Sequence, residues 1–561
     1  MQRARLVAVL VALAAVVSPG LLPTPAQAAP KPHLQQPLTS TEMPAGSLVV
    51  RPEGTAALVD PNTQCGAAAA DPVPDGEDIV VTMPPGPSFT VGQIPPTWWK
   101  TPPYGDAAWQ LQLRGFTWVQ PLAQRAYLDG QTQSLNALID QVVAFHQQNP
   151  DPGTATSATT ANANAWGWDE GTAVRRLGAE NCLFSVTRDA RLAALMAADV
   201  AVQYGSRYYG PPLHGVHNHG VMADLAIVRA ADLLGRTDWQ TRSINRLAAN
   251  APLPWTPAGT TNEQSSGYHV FNVALWGEVA DMMQAHSVAA ATAQTVRDLD
   301  ARAGRVSPWL TEPNGRLVVL GDASADPGFT RSTWTARTFR DDRAGFVVGK
   351  WSWTDLMTSY YTIRYGPPRW AHGQQERAGI TWSTGNRRVL VGPGRGTYDP
   401  AGNYQSWARN APSHNVATVD RRTLDTRASV YVTSSTLRAS WHAWTTVDLL
   451  FGVRHTRWYG VVRDTRTLTV QDTYDGGVAF HQFWHLDPGW TLLSRSSDGT
   501  RLLFQAGIRF LTVTTTGVAS VLRGVTRPVA GWNFPTSSVR AMADEIQVGA
   551  AGRATTTFTV S

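Results

Sequence analysis

The chain has 561 residues, two cysteines and a formal net charge of +5. That length exceeds what one hydrophobic core usually organises and calls for two large domains, while two cysteines exclude a cysteine-stapled scaffold or a cysteine-rich metal centre. Residues 1–28 carry the three parts of a secretory signal: Arg3 and Arg5, an apolar run from Leu6 to Val17, and the small-residue site Ala26-Gln27-Ala28. The apolar run is too short to cross a bilayer, no later stretch reaches the roughly 20 apolar residues needed, and no hydrophobic tail suggests an anchor. The expectation is a freely secreted protein with neither membrane nor nucleic acid among its partners and an oligomeric state left open. Cys65 and Cys182 can pair in an oxidising compartment, but the sequence does not give the distance that pairing requires.

Residues 29–105, rich in Pro, Ala, Thr and Gly, read as an irregular arm that packs late or not at all. Residues 106–310 turn helical. Leu135, Leu138, Ile139, Val142 and Val143 fall on one face of an amphipathic helix, and further helices are predicted over Asp189–Gln203, His219–Leu234 with Gly235 as C-cap, and Tyr268–Met283. Residues 311–561 switch to short runs of Val, Thr, Tyr and Trp between turn residues, including Arg316–Leu320, Gly345–Gly349, Ser359–Arg364, Arg387–Val391, Ser429–Thr433, Thr467–Gln471 and Arg509–Thr514. A helical block followed by a strand block predicts an α+β multidomain chain whose strands form a large antiparallel sandwich. Charge divides the same way: residues 29–310 hold 17 Lys and Arg against 24 Asp and Glu, and residues 311–561 hold 28 against 18. The basic second half suits an acidic polymer drawn into a cleft, although solvated strand faces explain the arginines equally well.

Three polar clusters punctuate this pattern. His217-Asn218-His219 opens a predicted helix, where exposed N–H groups can face an anion and where Asn is also an ordinary cap. Glu263-Gln264-Ser265-Ser266-Gly267-Tyr268-His269 places a Tyr and a His at the head of the next apolar helix. Trp370-Ala371-His372-Gly373-Gln374-Gln375-Glu376 is followed by a strand, the Gly392-Pro393-Gly394 turn with Tyr398 beyond it, and Ser413-His414-Asn415.

Together and in this order, from about Trp166 to Asp487, these clusters resemble the heparinase II/III and alginate lyase group of polysaccharide lyases. The resemblance implies an N-terminal (α/α) toroid followed by a C-terminal antiparallel β-sandwich, with the active site in the cleft between them. It implies β-elimination on a uronic-acid-containing polysaccharide, a reaction that needs the uronate carboxylate neutralised, a base for the C5 proton and an acid for the leaving O4. Asn218 is then the neutralising amide, Tyr268 the proton carrier on one face, His219 the base for the opposite face, and His372 the group that orients the carboxylate or tunes the tyrosine. Trp166, Trp168, Arg175, Glu263, Tyr398 and His414 are the substrate-binding candidates; Arg175 has a surface ion pair as its alternative. Members of the group often hold a structural zinc through a second histidine two places after the first, an aspartate, and the histidine of the His-Asn pair. The matching positions here are Gln374, Gly392 and His414, and one histidine does not define a zinc site, so no zinc or other cofactor is expected. Two other readings stand beside the lyase: a glycoside hydrolase recruiting Asp169, Glu170 or Glu263, and a non-catalytic binder of acidic polysaccharide relying on the 22 Trp and the basic half.

Overall fold

The computed structural model describes residues 60–83, 86–150, 167–205, 218–329, 334–368, 372–396, 403–536 and 539–561. The predicted signal segment, Trp166, Trp370 and Tyr398 lie outside the described residues.

Nine helices of eight residues or more are found among the described residues: α1 (Ala107–Arg114), α2 (Val119–Leu128), α3 (Thr132–Gln148), α4 (Glu170–Thr187), α5 (Ala190–Gln203), α6 (Asn218–Leu234), α7 (Thr237–Asn250), α8 (Ser266–Ala285) and α9 (Ala290–Gly304). Short connections turn consecutive helices against each other, as α4 on α5, α6 on α7 and α8 on α9. In α3 the predicted face is the buried one: Leu135, Leu138, Ile139 and Val142 point into the core. Gly235 follows α6 at φ +66°, as a helix-ending glycine does. No described helix is long and apolar enough to cross a membrane.

The described part of the N-terminal arm is packed, contrary to expectation. Val73, Ile79, Val81, Met83, Phe89, Val91, Ile94 and Trp99 belong to the same core as α2 to α5. Phe89 meets the edges of Trp98, Trp109 and Trp118 at centroid distances of 5.8, 6.4 and 5.5 Å. Cys65 is bonded to Cys182 of α4 across 117 residues, which ties this segment to the most deeply buried helix.

The strands form three antiparallel sheets, apart from a few two-stranded ribbons. A five-stranded meander runs through Thr338–Asp341, Phe346–Lys350, Tyr360–Arg364, Ile380–Thr384 and Arg387–Leu390. Its alternation explains its place: Phe346, Val348 and Tyr360 point into a core shared with Val306, Trp309 and Leu310 at the end of the helical block, while Val347, Tyr361, Ile363 and Trp382 point into the sandwich core. A four-stranded sheet continues that layer through a bridge between Leu390 and Leu486. An eight-stranded sheet covers the other side, and Trp444, Tyr459, Leu468, Val470 and Phe558 fill the space between. Residues 316–320, predicted as a strand, make only isolated bridges, Thr311 with Leu317 and Arg316 with Pro327. Leu317, Val318, Val319 and Leu320 are all buried, because this segment threads between helices and sheet rather than lying on a two-faced layer. The architecture is an (α/α) toroid followed by an antiparallel β-sandwich.

Candidate active site

The head of α8 is fixed to the sandwich by its own sequence. Ser265 caps the helix, its Oγ accepting from Tyr268 N–H at 3.2 Å and donating to Asp322 O at 2.7 Å. Ser266 N–H donates to Leu320 O at 3.1 Å, and Gln264 reaches Ala344 O at 2.9 Å. Gly321 lies between, at φ +61°, where an added Cβ would stand 2.5 Å from His372 O and 2.6 Å from Gln264 O. Only glycine fits. Residues 263–268, 320–322 and 372–374 therefore meet at one point.

At that point the rings of Tyr268 and His372 lie face to face, 3.3 Å between centroids and 8° from parallel. Neither has exposed surface. His372 Nδ1 is 3.1 Å from Asp322 Oδ2, which also receives Arg409 Nη1 at 2.7 Å, while Gln374 Nε2 donates to Asp322 Oδ1 at 2.9 Å. Burial alone would raise the Asp322 carboxyl, but the His372 bond, the Arg409 charge and the Gln374 bond outweigh it and hold it below the ordinary range. Burial holds His372 down at about 4 in spite of Asp322, so its imidazole is neutral near pH 7.

Asn218 and His219, at the start of α6, are 1 % and 2 % exposed. Neither amide atom of Asn218 has a hydrogen-bond partner among the described residues, so the side chain does not act as an ordinary cap. His219 Nδ1 is 3.1 Å from Glu170 Oε1, and the ring lies within electrostatic reach of His372. The structure thus brings Tyr268, His372, Glu263 and His219 to one junction, and Asn218 precedes His219 at the start of α6.

Other candidates fall elsewhere. Trp168 is 1 % exposed, donates Nε1 to Asn149 O at 2.9 Å and carries the Arg176 guanidinium 4.3 Å above its ring; no ring face remains for a sugar, which corrects its assignment to substrate binding. Arg175 is buried and donates Nη1 to Gly171 O at 2.9 Å along its own helix, so it is not the surface ion pair that was its alternative. His414 is buried and lines a small cavity with Leu320, Arg364, Glu376 and Asn415, its Nδ1 4.0 Å from Glu376 Oε2. Asp322 and Arg409 belong to the site and were missed, and Glu170, offered only as a hydrolase acid, joins it through His219. Each is isolated in sequence from the clusters, and only the fold brings it to them.

The positions matching the zinc ligands do not fit a zinc ion. A Cβ on Gly392 would stand 2.4 Å from Val319 O, leaving no room for an aspartate, and Gln374 points its amide N–H at Asp322. The positive charge beside Asp322 and His414 is the Arg409 guanidinium. Elsewhere, His146, Glu180 and Asp199 are the one group among the described residues whose ligand atoms gather closely enough for a cation. Arg176 already fills it, donating to Asp199 at 2.9 and 2.8 Å.

No protein-family model matches the chain, and no curated protein matches it. Solved structures do, and they define the class of fold: that of polysaccharide lyases built from a toroid and a sandwich. A structure of heparinase III superposes with a TM-score of 0.70 at 14 % identity, covering 94 % of this chain and 87 % of that one. The heparan sulfate lyase HepC from Pedobacter heparinus gives 0.59 at 13 % identity, covering 90 % and 87 %. A Streptomyces coelicolor chondroitin AC lyase in complex with chondroitin sulphate gives 0.51 at 10 % identity, covering 81 % and 74 %. These likenesses establish the fold.

Proposed function

We propose that the protein is a secreted polysaccharide lyase that cleaves a uronic-acid-containing polysaccharide by β-elimination, without zinc. The observation that carries this reading is the stacked Tyr268–His372 pair at the toroid–sandwich junction, with His219 within electrostatic reach of His372 and both amide atoms of the preceding Asn218 without a partner among the described residues. The Asn218 amide is the neutralising donor for the uronate carboxylate, lowering the cost of charge at C5. Tyr268 takes the C5 proton and returns a proton to O4 when both lie on its face; His219, oriented by Glu170, is the base for the opposite face. His372 fixes the plane of Tyr268. The similarity to structures of heparinase III, a heparan sulfate lyase and a chondroitin lyase supports an acidic polysaccharide as partner, as does the basic strand half.

The carboxylates that a hydrolase would recruit are otherwise engaged. Asp169 caps α4 through Thr172, Glu170 holds His219, and Glu263 accepts from Asn272. Because Tyr268 and His372 are wholly covered, catalysis requires the junction to open for substrate. The experiment is a panel of heparan-type, hyaluronan-type, alginate and bacterial glucuronate polymers, followed by ultraviolet absorbance of unsaturated uronate. No absorbance on any of them, with the folded protein at high concentration, would count against the proposal.

A further inference from the structure

Glu263 is 6 % exposed and faces His372 from the toroid side. Its Oε1 accepts from Asn272 Nδ2 at 2.7 Å, and its Oε2 stands 3.4 Å from His372 Nε2. Neither Oε2 nor Nε2 has a hydrogen-bond partner among the described residues. The proton count follows from the donors around Asp322. That carboxylate already collects Arg409 and Gln374, so it is an acceptor toward His372, and Nδ1 carries the imidazole proton. A neutral ring then turns the lone pair of Nε2 toward Glu263 Oε2. In a site closed to water, a lone pair facing a carboxylate oxygen is repulsive unless that oxygen bears a proton. Asn272 occupies Oε1, which leaves Oε2 for it.

We propose that Glu263 is a positioning residue that works as a protonated carboxyl, its Oε2–H directed at His372 Nε2 while Asp322 accepts from Nδ1, so that two carboxyl groups clamp the imidazole flat against Tyr268. This rests on the lyase reading above and adds a residue to it. The surrounding groups agree. Burial raises Glu263, the Asn272 bond only partly offsets it, and Asp322 adds a smaller push, so the carboxyl stands at about 7. From the sandwich side the charged groups are Asp322 and, behind it, Arg409; from α6, His219 faces His372. On α8 the neighbours are neutral: Asn272, and His269, which burial holds at about 4. The carboxyl is raised in the folded protein, so the clamp is intact below about pH 7 and is released as pH rises through that value.

Glu263→Gln keeps an oxygen for Asn272 and supplies a permanent N–H toward His372. It should retain most of the wild-type kcat below about pH 7 and lack the loss of kcat that the wild type shows above it. Glu263→Ala should lower kcat by up to about 10²-fold with KM little changed, the cost of a misplaced reacting group. Nitrogen-15 NMR of His372 in the full-length protein gives a readout that does not depend on turnover. The wild type should show a protonated Nδ1 and an unprotonated Nε2, with an inflection near pH 7 that Glu263→Gln removes. A folded but inactive Glu263→Gln, or a protonated Nε2 in the wild type between about pH 5 and 6, where His372 is neutral and Glu263 carries its proton, would overturn the proposal. If no polymer is turned over, the lyase reading fails while the NMR result still decides the role of Glu263.

Discussion

Replacing Asn218 by alanine separates two roles that a sequence alone leaves tangled. An asparagine at a helix start ordinarily caps it, and its loss then costs about 0.5–2 kcal/mol of stability. Here the side chain is 1 % exposed and both amide atoms lack partners among the described residues. Leaving a buried donor or acceptor unsatisfied costs about 1–3 kcal/mol, so Asn218→Ala removes a penalty rather than a bond. Its melting temperature should be unchanged or higher. If the amide instead waits for the uronate carboxylate, the same change removes a donor from the transition state, and kcat should fall by about 10²–10³-fold. Thermal melts and steady-state turnover on one preparation give both numbers. A variant that is less stable yet fully active would refute the reasoning and remove Asn218 from the site.

Other consequences are as direct. Asp448 and Asp472 sit on the two nitrogens of His455 at 2.9 and 2.7 Å; burial lowers this histidine, but the two carboxylates outweigh it and raise it to about 9. Its contribution to stability is therefore complete below its unfolded value near 6.5 and is lost as pH rises through about 9; His455→Gln should cost about 3–5 kcal/mol in denaturant melts at neutral pH, the range for breaking a buried charge pair. Cys65→Ser should lower stability by at most about 5 kcal/mol, the chain-entropy value for so long a loop, with reductant doing the same to the wild type and nothing to the variant. Elemental analysis of protein purified without chelator should find no stoichiometric zinc, and Gly392→Asp should impair folding instead of creating a metal site, since its side chain collides with the Val319 carbonyl.

Much of the architecture was legible because it rests on period. The Leu135 to Val143 face, the helices ending at Gln203 and Leu234, and the strands beginning near Phe346, Tyr360, Thr467 and Arg509 all follow alternation or helical spacing. The packing of residues 60–105 was not foreseen because their apolar residues follow neither spacing. They are held by side-chain packing around Trp99 and Trp109 and by the Cys65 bond to α4. Residues 317–320 look like a strand yet lie wholly buried between two layers, a placement that local sequence does not encode. In the site, Tyr268 and His372 stood in recognisable clusters. Asp322 and Arg409 did not, since their function is to hold His372 across a fold that only the tertiary structure closes. Trp168 misled in the opposite direction: named as a substrate-binding candidate, it is a core ring under Arg176.

The most direct test of the central claim is mass spectrometry of the products from an acidic polysaccharide treated with wild-type protein and with Tyr268→Phe. The account predicts chains ending in an unsaturated uronate, each lighter by one water than a hydrolysis product. It also predicts that Tyr268→Phe, folded and still binding polymer, loses about 10²–10⁴-fold in rate with the proton-carrying oxygen. Saturated, hydrated ends from the wild type, or unimpaired cleavage by Tyr268→Phe, would contradict it.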